Sequence, residues 1–426
     1  MSEDENPDEM LRYFSGSGFA LKKPKKLGVA VSGGGDSMAC LDLMIWHGRD
    51  LGFPVEAVTL DHGLRPEAGD EIALVAAYCA EWNVPHSVLT WAWDGSGNLQ
   101  SKASNARYRL IGEWAKQCGA DLVALGHTQD DVAETFLMRL ARQSGIDGLA
   151  HMERSFEREG VDWTRPLLSF GRAKLRSYLK RHEVEWAEDP SNNDPKFERV
   201  RARQVLEALE PLEIDADVLA SVAHNLWLAK SSLDLVLRAS VFKYVVEDRG
   251  DLIVPGEIPE KDGFIPPELI YRLRRVAIRW VGGANYAPRS KAMFELEDGL
   301  REKGMHTLGG CIFRMVEGKK IYERRFRITR EYNAVRNVVS STDAPWDGRW
   351  VLEGPHDAEL QVRALGDAVK NCQDWRDTGL PRQSLLASPA IWRGDELVAA
   401  PLAGLENGWT ASAIGRGTFS QFLLSR

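Results

Sequence analysis

The densest chemistry in the chain is Ser32-Gly33-Gly34-Gly35-Asp36-Ser37. Leu27 to Val31, just before it, are apolar or small enough for a buried strand, and Met38, Leu41, Leu43, Met44 and Ile45 after it form an apolar helical series. A strand, a glycine turn and a helix start, in that order, build an anion site. Glycines let the backbone approach a ligand and take positive φ without a Cβ clash, and the free N–H groups of the helix N-terminus favour phosphate. Ser32 and Ser37 add hydroxyl donors for the same oxygens. Two common phosphate motifs are excluded: no Lys follows Gly35 as a Walker loop requires, and Met38 stands where a dinucleotide fingerprint needs its third glycine.

The second segment is Gly126-His127-Thr128-Gln129-Asp130-Asp131-Val132-Ala133-Glu134-Thr135. Thr128 is placed to cap a helix, with Asp131 in the capping-box position. Asp131 and Glu134, spaced i, i+3, share a helical face. Two acids in a first turn are commonly no more than complements to the helix dipole. With His127 just before them, they read instead as carboxylates aimed at an ammonium group. Arg107, in the middle of a long helical pattern, is either an exposed helix arginine or a fork donor to phosphate. Arg199 and Arg203 are i, i+4 on one face. With Arg201, Arg172 and Lys174 from neighbouring basic clusters, they make the best candidate surface for an RNA backbone.

These residues need a scaffold. Val55–Leu60, His86–Trp91 and Asp121–Gly126 read as further strands; Asp70–Trp82, Leu99–Cys118 and Thr128–Arg142 read as helices. The alternation predicts an α/β fold, a parallel sheet covered on both faces, with ligands beyond the carboxyl ends of the strands. Asp61, His62, His127 and the glycine loop all fall at such ends, which makes His62 and His127 candidates for nucleotide binding in one crevice. Beyond residue 204 the pattern turns helical through Leu212–Val246. It then passes a Gly/Pro-rich break (Gly250–Pro267), helices at Leu269–Val281 and Arg289–Lys303, and a hairpin-like pair, CIFRMV and KKIYERR. Short strands and turns around four tryptophans close the chain. The expected layout is an acidic, disordered tail (1–20), an α/β domain that carries the phosphate loop (21–210), a mainly helical domain (211–335) and a small α+β domain (336–426).

Composition narrows the class. At 426 residues, 44% hydrophobic and 27% charged, the chain is an ordinary soluble protein of two or three domains. Its net charge of −8 leaves room only for local basic surfaces. No apolar run reaches the ~20 residues of a membrane span, and the acidic N-terminus lacks the apolar core of a signal peptide. Five isolated cysteines argue against zinc and disulfides and for a reducing cytoplasm.

SGGGDS resembles the signature of the PP-loop ATP pyrophosphatases. Together with DHGLR (61–65), ARY (106–108), GHTQDDVAETFLMRL (126–140), SGIDGLAHM (144–152), RPLL (165–168) and EDPSNNDPKF (188–197), it resembles the tRNA(Ile)-lysidine synthetase family over nearly half the chain. The resemblance implies a ligase that uses ATP and Mg²⁺. In that reaction the C2 carbonyl of the wobble cytidine, in an isoleucine tRNA with a CAU anticodon, attacks the α-phosphate. Pyrophosphate leaves, and the ε-amino group of free L-lysine then displaces AMP. It further implies that Asp36 holds the metal and acts with Arg107 in catalysis, that Ser32 to Ser37 bind phosphate, and that Asp131 and Glu134 hold lysine. Both later domains would serve tRNA, and a homodimer is compatible with it. Gln100 and Ser104, Val132, Gln143 and Val200 stand where the family commonly has Glu and Arg, Gln, Gly and Asn. Two alternatives remain at this stage: a PP-loop enzyme that thiolates tRNA, and an RNA-binding homologue that lost catalysis.

Overall fold

The computed structural model describes residues 23–63, 68–93, 95, 99–150, 152–188, 196–256, 267–284, 287–317, 324–414 and 417–424, the side chains at 100, 101, 240, 242 and 243 excepted. The expected tail, Leu64 and Arg65 of DHGLR, the side chain of Gln100, most of EDPSNNDPKF and the start of KKIYERR lie outside them. The chain separates into two compact units, Met1–Lys230 and Ser231–Arg426.

The first unit is a six-stranded sheet in the order β3-β2-β1-β4-β6-β5. Its strands are β1 (Leu27–Ala30), β2 (Val55–Asp61), β3 (His86–Thr90), β4 (Leu122–Leu125), β5 (Ser155–Arg158) and β6 (Val161–Thr164). All neighbours are parallel except β5 and β6. The chain runs outward from β1 through β2 to β3, then returns to the other side of β1 at β4. That reversal opens a crevice above the carboxyl ends of β1 and β4, where ligands of open α/β sheets bind.

Helices cover both faces. α1 (Gly35–Leu51) buries Met38, Leu41, Leu43, Met44 and Ile45, and it packs against Leu175, Tyr178 and Leu179 of a later helix, Arg172–Arg181. The carboxylate of Asp42, buried in α1, accepts hydrogen bonds from the Tyr78 and Tyr178 hydroxyls, so its burial is compensated. Ile111, Trp114 and Ala115 cover the opposite face, against Val58, Val123 and Trp163. The β5–β6 hairpin does not stand out in the sequence. Its two-residue turn is Glu159-Gly160, with φ of 56° and 68°, as a type I′ turn requires.

In the second unit an antiparallel sheet orders Val246–Asp248, Asp251–Pro255, Arg325–Arg330, Cys311–Glu317 and Met305–Leu308. Cys311–Glu317 pairs with Met305–Leu308 across Gly309-Gly310 and, on its other edge, with Arg325–Arg330, which takes in Arg325 at the end of KKIYERR; residues 318–323 lie outside the described residues. Alternation decides the partner, because Phe326 and Ile328 point into the core. A separate apolar cluster gathers Trp346, Trp350, Val362, Ile391 and Trp409.

Candidate active site

The loop after β1 is shaped by its glycines. Gly33 has φ of 87°, a conformation that costs a side-chain-bearing residue about 1–2 kcal/mol. Gly34 is the extended N-cap of α1. The loop closes on itself: Ser37 Oγ donates to the Gly34 carbonyl (2.8 Å) and accepts from the Ser32 N–H (3.1 Å), and the two serine hydroxyls lie 3.2 Å apart. A Cβ on Gly126 would sit 2.9 Å from the Asp36 carbonyl oxygen. Only glycine there lets the end of β4 abut the first turn of α1, which sets His127 beside the loop.

α2 (Ala68–Glu81) and α3 (Leu99–Cys118) flank the sheet, and α4 (Gln129–Ala141) follows β4. Thr128 caps α4 in a full capping box: its N–H and hydroxyl donate to Asp131 Oδ2 (2.8 and 3.1 Å), and its Oγ1 accepts from the Asp131 N–H (3.4 Å). Thr128→Val is expected to remove about 1–2 kcal/mol of stability, read as a lower melting temperature with the fold retained. On the face next to the buried Val132, Ala133 and Phe136, Asp131 and Glu134 are also buried.

Helix α5 (Arg172–Arg181) and helix α6 (Glu198–Leu209) supply the partners. The i, i+4 pair of α6 meets the i, i+3 pair of α4. Arg199 Nη1 lies 3.0 Å from Asp131 Oδ1 and Arg203 Nε 2.6 Å from Glu134 Oε1. Arg172 reaches further: its Nε is 3.0 Å from Asp36 Oδ2 and its Nη1 is 3.3 Å from Glu134 Oε1, while its backbone N–H donates to Asp130 Oδ2 (2.7 Å). Three of the five arginines and lysines offered as an RNA-facing surface thus have their guanidiniums on the crevice carboxylates. The other two are exposed: Arg201 Nη1 donates to the Lys196 carbonyl (3.1 Å), and Lys174 lies over the Phe170 ring.

Burial raises the Asp36 carboxyl above its ordinary value, with Arg172 pulling the other way. His127 is pushed down to about 4, by burial first and then by Arg165, Arg199 and Arg107 against the pull of Asp131. The neutral imidazole accepts from Arg165 Nε at Nδ1 (3.2 Å). This bond assigns the proton to Nε2, a donor. Arg107 is exposed, within electrostatic reach of Arg199 and His127, and among the described residues no carboxylate pairs with it. His62 packs edge-on against Trp91, ring centroids 5.7 Å apart, at the end of β2. Asp130 and Arg165 join the site, and neither is marked by its own spacing. Both lie in motif segments, GHTQDD and RPLL, and that membership is the signal that finds them.

Glu134 Oε2 is buried and, among the described residues, has no hydrogen-bond partner, while its Oε1 takes two guanidiniums. A buried, unpaired carboxylate oxygen is costly and fits an incoming cation with N–H donors.

A PP-loop domain model matches residues 7–209. A tRNA(Ile)-lysidine synthase of Ruegeria pomeroyi is 44% identical over 96% of this chain and 96% of its own. The chain belongs to the tRNA(Ile)-lysidine synthase family. Synthases of the same name from Wolbachia pipientis wMel (31% identical, 88% of each chain) and from the Wolbachia of Brugia malayi (34%, 90% of this chain and 89% of its own) agree. As a lysidine synthase family member, the protein is an ATP-dependent ligase that modifies tRNA. The lysidine synthase positions at which this chain departs are partly explained. Val132 and Val200 are buried, where an apolar side chain packs, and Ser104 is exposed. Gln143 sits at φ of 55°, the conformation that the commoner glycine takes without strain.

Proposed function

We propose that the crevice performs lysidine synthesis in two steps. ATP seats its phosphates over Ser32–Ser37 at the N-terminus of α1, where N–H groups and serine hydroxyls converge. The wobble cytidine C2 oxygen attacks the α-phosphorus and pyrophosphate leaves. Free lysine then attacks C2 and AMP leaves. Arg107 and the Nε2–H of His127 face this charge as donors, a guanidinium and a neutral imidazole.

Asp36 suits Mg²⁺ as a single carboxylate beside a phosphate loop, since Mg²⁺ is usually held by one or two carboxylates plus substrate phosphates. Among the described residues no larger cluster of His, Cys, Asp and Glu is arranged to hold a metal. When bound, the ion spreads the charge developing on the phosphates. Asp36 orients it, and the loop holds the nucleotide still.

The observation that carries the reading is Glu134 Oε2, a buried open acceptor beside the phosphate loop. It suits the ammonium of lysine. Asp131 contributes through Oδ1, shared with Arg199, because Oδ2 is committed to the helix cap. The thiolation alternative loses ground on chemistry. Cys40, Cys79 and Cys311 are buried with thiols pushed up to about 12, 11 and 12, so none is a ready nucleophile.

Incubation with ATP, Mg²⁺, radiolabelled lysine and an isoleucine tRNA bearing a CAU anticodon is expected to put label into the RNA. ATP cleavage without label in the RNA sinks the proposal. Among surface residues, Arg201→Ala and Lys174→Ala are each expected to weaken tRNA binding and reduce its salt slope by about one. Arg203→Ala, which takes a competing guanidinium off Glu134, is expected to lower the KM for lysine with the slope unchanged. Filter binding across a salt series, beside lysine kinetics, checks both.

A further inference from the structure

Arg172 touches both halves of the site at once. Its Nε lies on Asp36, the nucleotide-side carboxylate, and its Nη1 lies on Glu134, the lysine-side carboxylate. Nη2 stands 4.0 Å from Asp131 Oδ1. The backbone of Arg172 is pinned, since its N–H donates to Asp130 at the start of α5. Only the side chain is free to change partners.

We propose that Arg172 couples the two substrate sites, so that nucleotide binding opens Glu134 to lysine. This rests on the reading of Glu134 as the lysine carboxylate. In the free protein Glu134 Oε1 already carries two guanidiniums, from Arg172 and Arg203. A lysine ammonium arriving there is a third cation on one carboxylate, and the like charges oppose it. A triphosphate on the Ser32–Ser37 loop brings several anionic oxygens next to Asp36. Guanidinium binds phosphate oxygens as a fork, with two parallel donors. The planar head is rigid, so Nε and Nη1 move together, and drawing Nε from Asp36 to the phosphates takes Nη1 off Glu134. Glu134 then keeps Arg203 alone, and its buried charge favours the incoming ammonium. Lysine is admitted once the nucleotide is seated.

Coupling between two sites is reciprocal and commonly amounts to about 5- to 150-fold. Equilibrium dialysis of radiolabelled lysine against the full chain without tRNA tests it, with and without Mg²⁺ and a non-hydrolysable ATP analogue. In the wild type the analogue is expected to tighten lysine binding about tenfold or more, and saturating lysine is expected to tighten the analogue by the same factor. In Arg172→Gln the ratio is expected to fall close to one, because lysine already binds the nucleotide-free protein more tightly. Arg172→Lys keeps the charge but cannot span two carboxylates, and the same loss of ratio is expected. A purely structural role for Arg172 would weaken both ligands and leave the ratio intact, which overturns the coupling. Equal lysine affinity in the wild type with and without the analogue also overturns it, and needs no variant to fold. Lysine binding in neither state overturns the reading of Glu134, and the coupling with it.

Discussion

Asp36→Ala is expected to lower the rate of pyrophosphate release by about a thousandfold or more while tRNA affinity stays within about twofold of wild type. A thousandfold corresponds to about 4 kcal/mol of lost transition-state stabilisation, a reasonable share for charge neutralisation at a transferring phosphoryl group. The carboxylate stands in the first turn of α1, directly after the glycine loop, and burial and Arg172 act on it in opposite directions. Removing it does not strand the arginine, which keeps Glu134 at 3.3 Å and its backbone bond to Asp130. The fold should therefore survive, and the defect should lie in chemistry. Pyrophosphate release measured beside tRNA binding separates the two. Unchanged turnover would remove Asp36 from the mechanism; a parallel loss of tRNA binding would mean that the loop had collapsed.

The phosphate loop was legible in the sequence because its signal is local. A strand, three glycines and a helix are contiguous, and the φ of 87° at Gly33 is the conformation that glycine is there to permit. The α4 cap was legible for the same reason, since Thr128 and Asp131 are three residues apart and bond each other. The partners of the basic residues were not. Spacing placed Arg199 and Arg203 on one face of a helix but was silent on what that face meets. The answer lies 68 and 69 residues away, on Asp131 and Glu134, and for Arg172 it lies 136 residues away, on Asp36. An arginine that faces RNA and one that neutralises a buried acid have the same sequence signature; only the packing of α4 on α6 separates them. The same limit applies to strand register in the second unit. Alternating residues extend from 311 to 330, and the run that pairs with both Cys311–Glu317 and Asp251–Pro255 is the one whose Phe326 and Ile328 are buried.

Glu134→Gln is expected to raise the KM for lysine by about a hundredfold while the KM for ATP moves no more than threefold. The amide keeps the shape and loses the charge. A charge-assisted hydrogen bond is worth about 1.5–3 kcal/mol, and at this buried position the upper end applies, which corresponds to roughly a hundredfold. Glu134 is 1% exposed, so water cannot substitute for the lost carboxylate. The amide also leaves Arg203 and Arg172 with a neutral partner, and some loss of thermal stability should accompany the kinetic change. Asp131→Asn is the comparison that isolates the binding effect. Its Oδ2 accepts the Thr128 N–H and hydroxyl, so a stability loss there comes with a smaller rise in the lysine KM. Equal effects of Glu134→Gln on lysine and ATP would show that this carboxylate holds the crevice together and binds neither substrate selectively. A lysine KM that rises alone would place the ammonium at the one buried oxygen the arginines leave open.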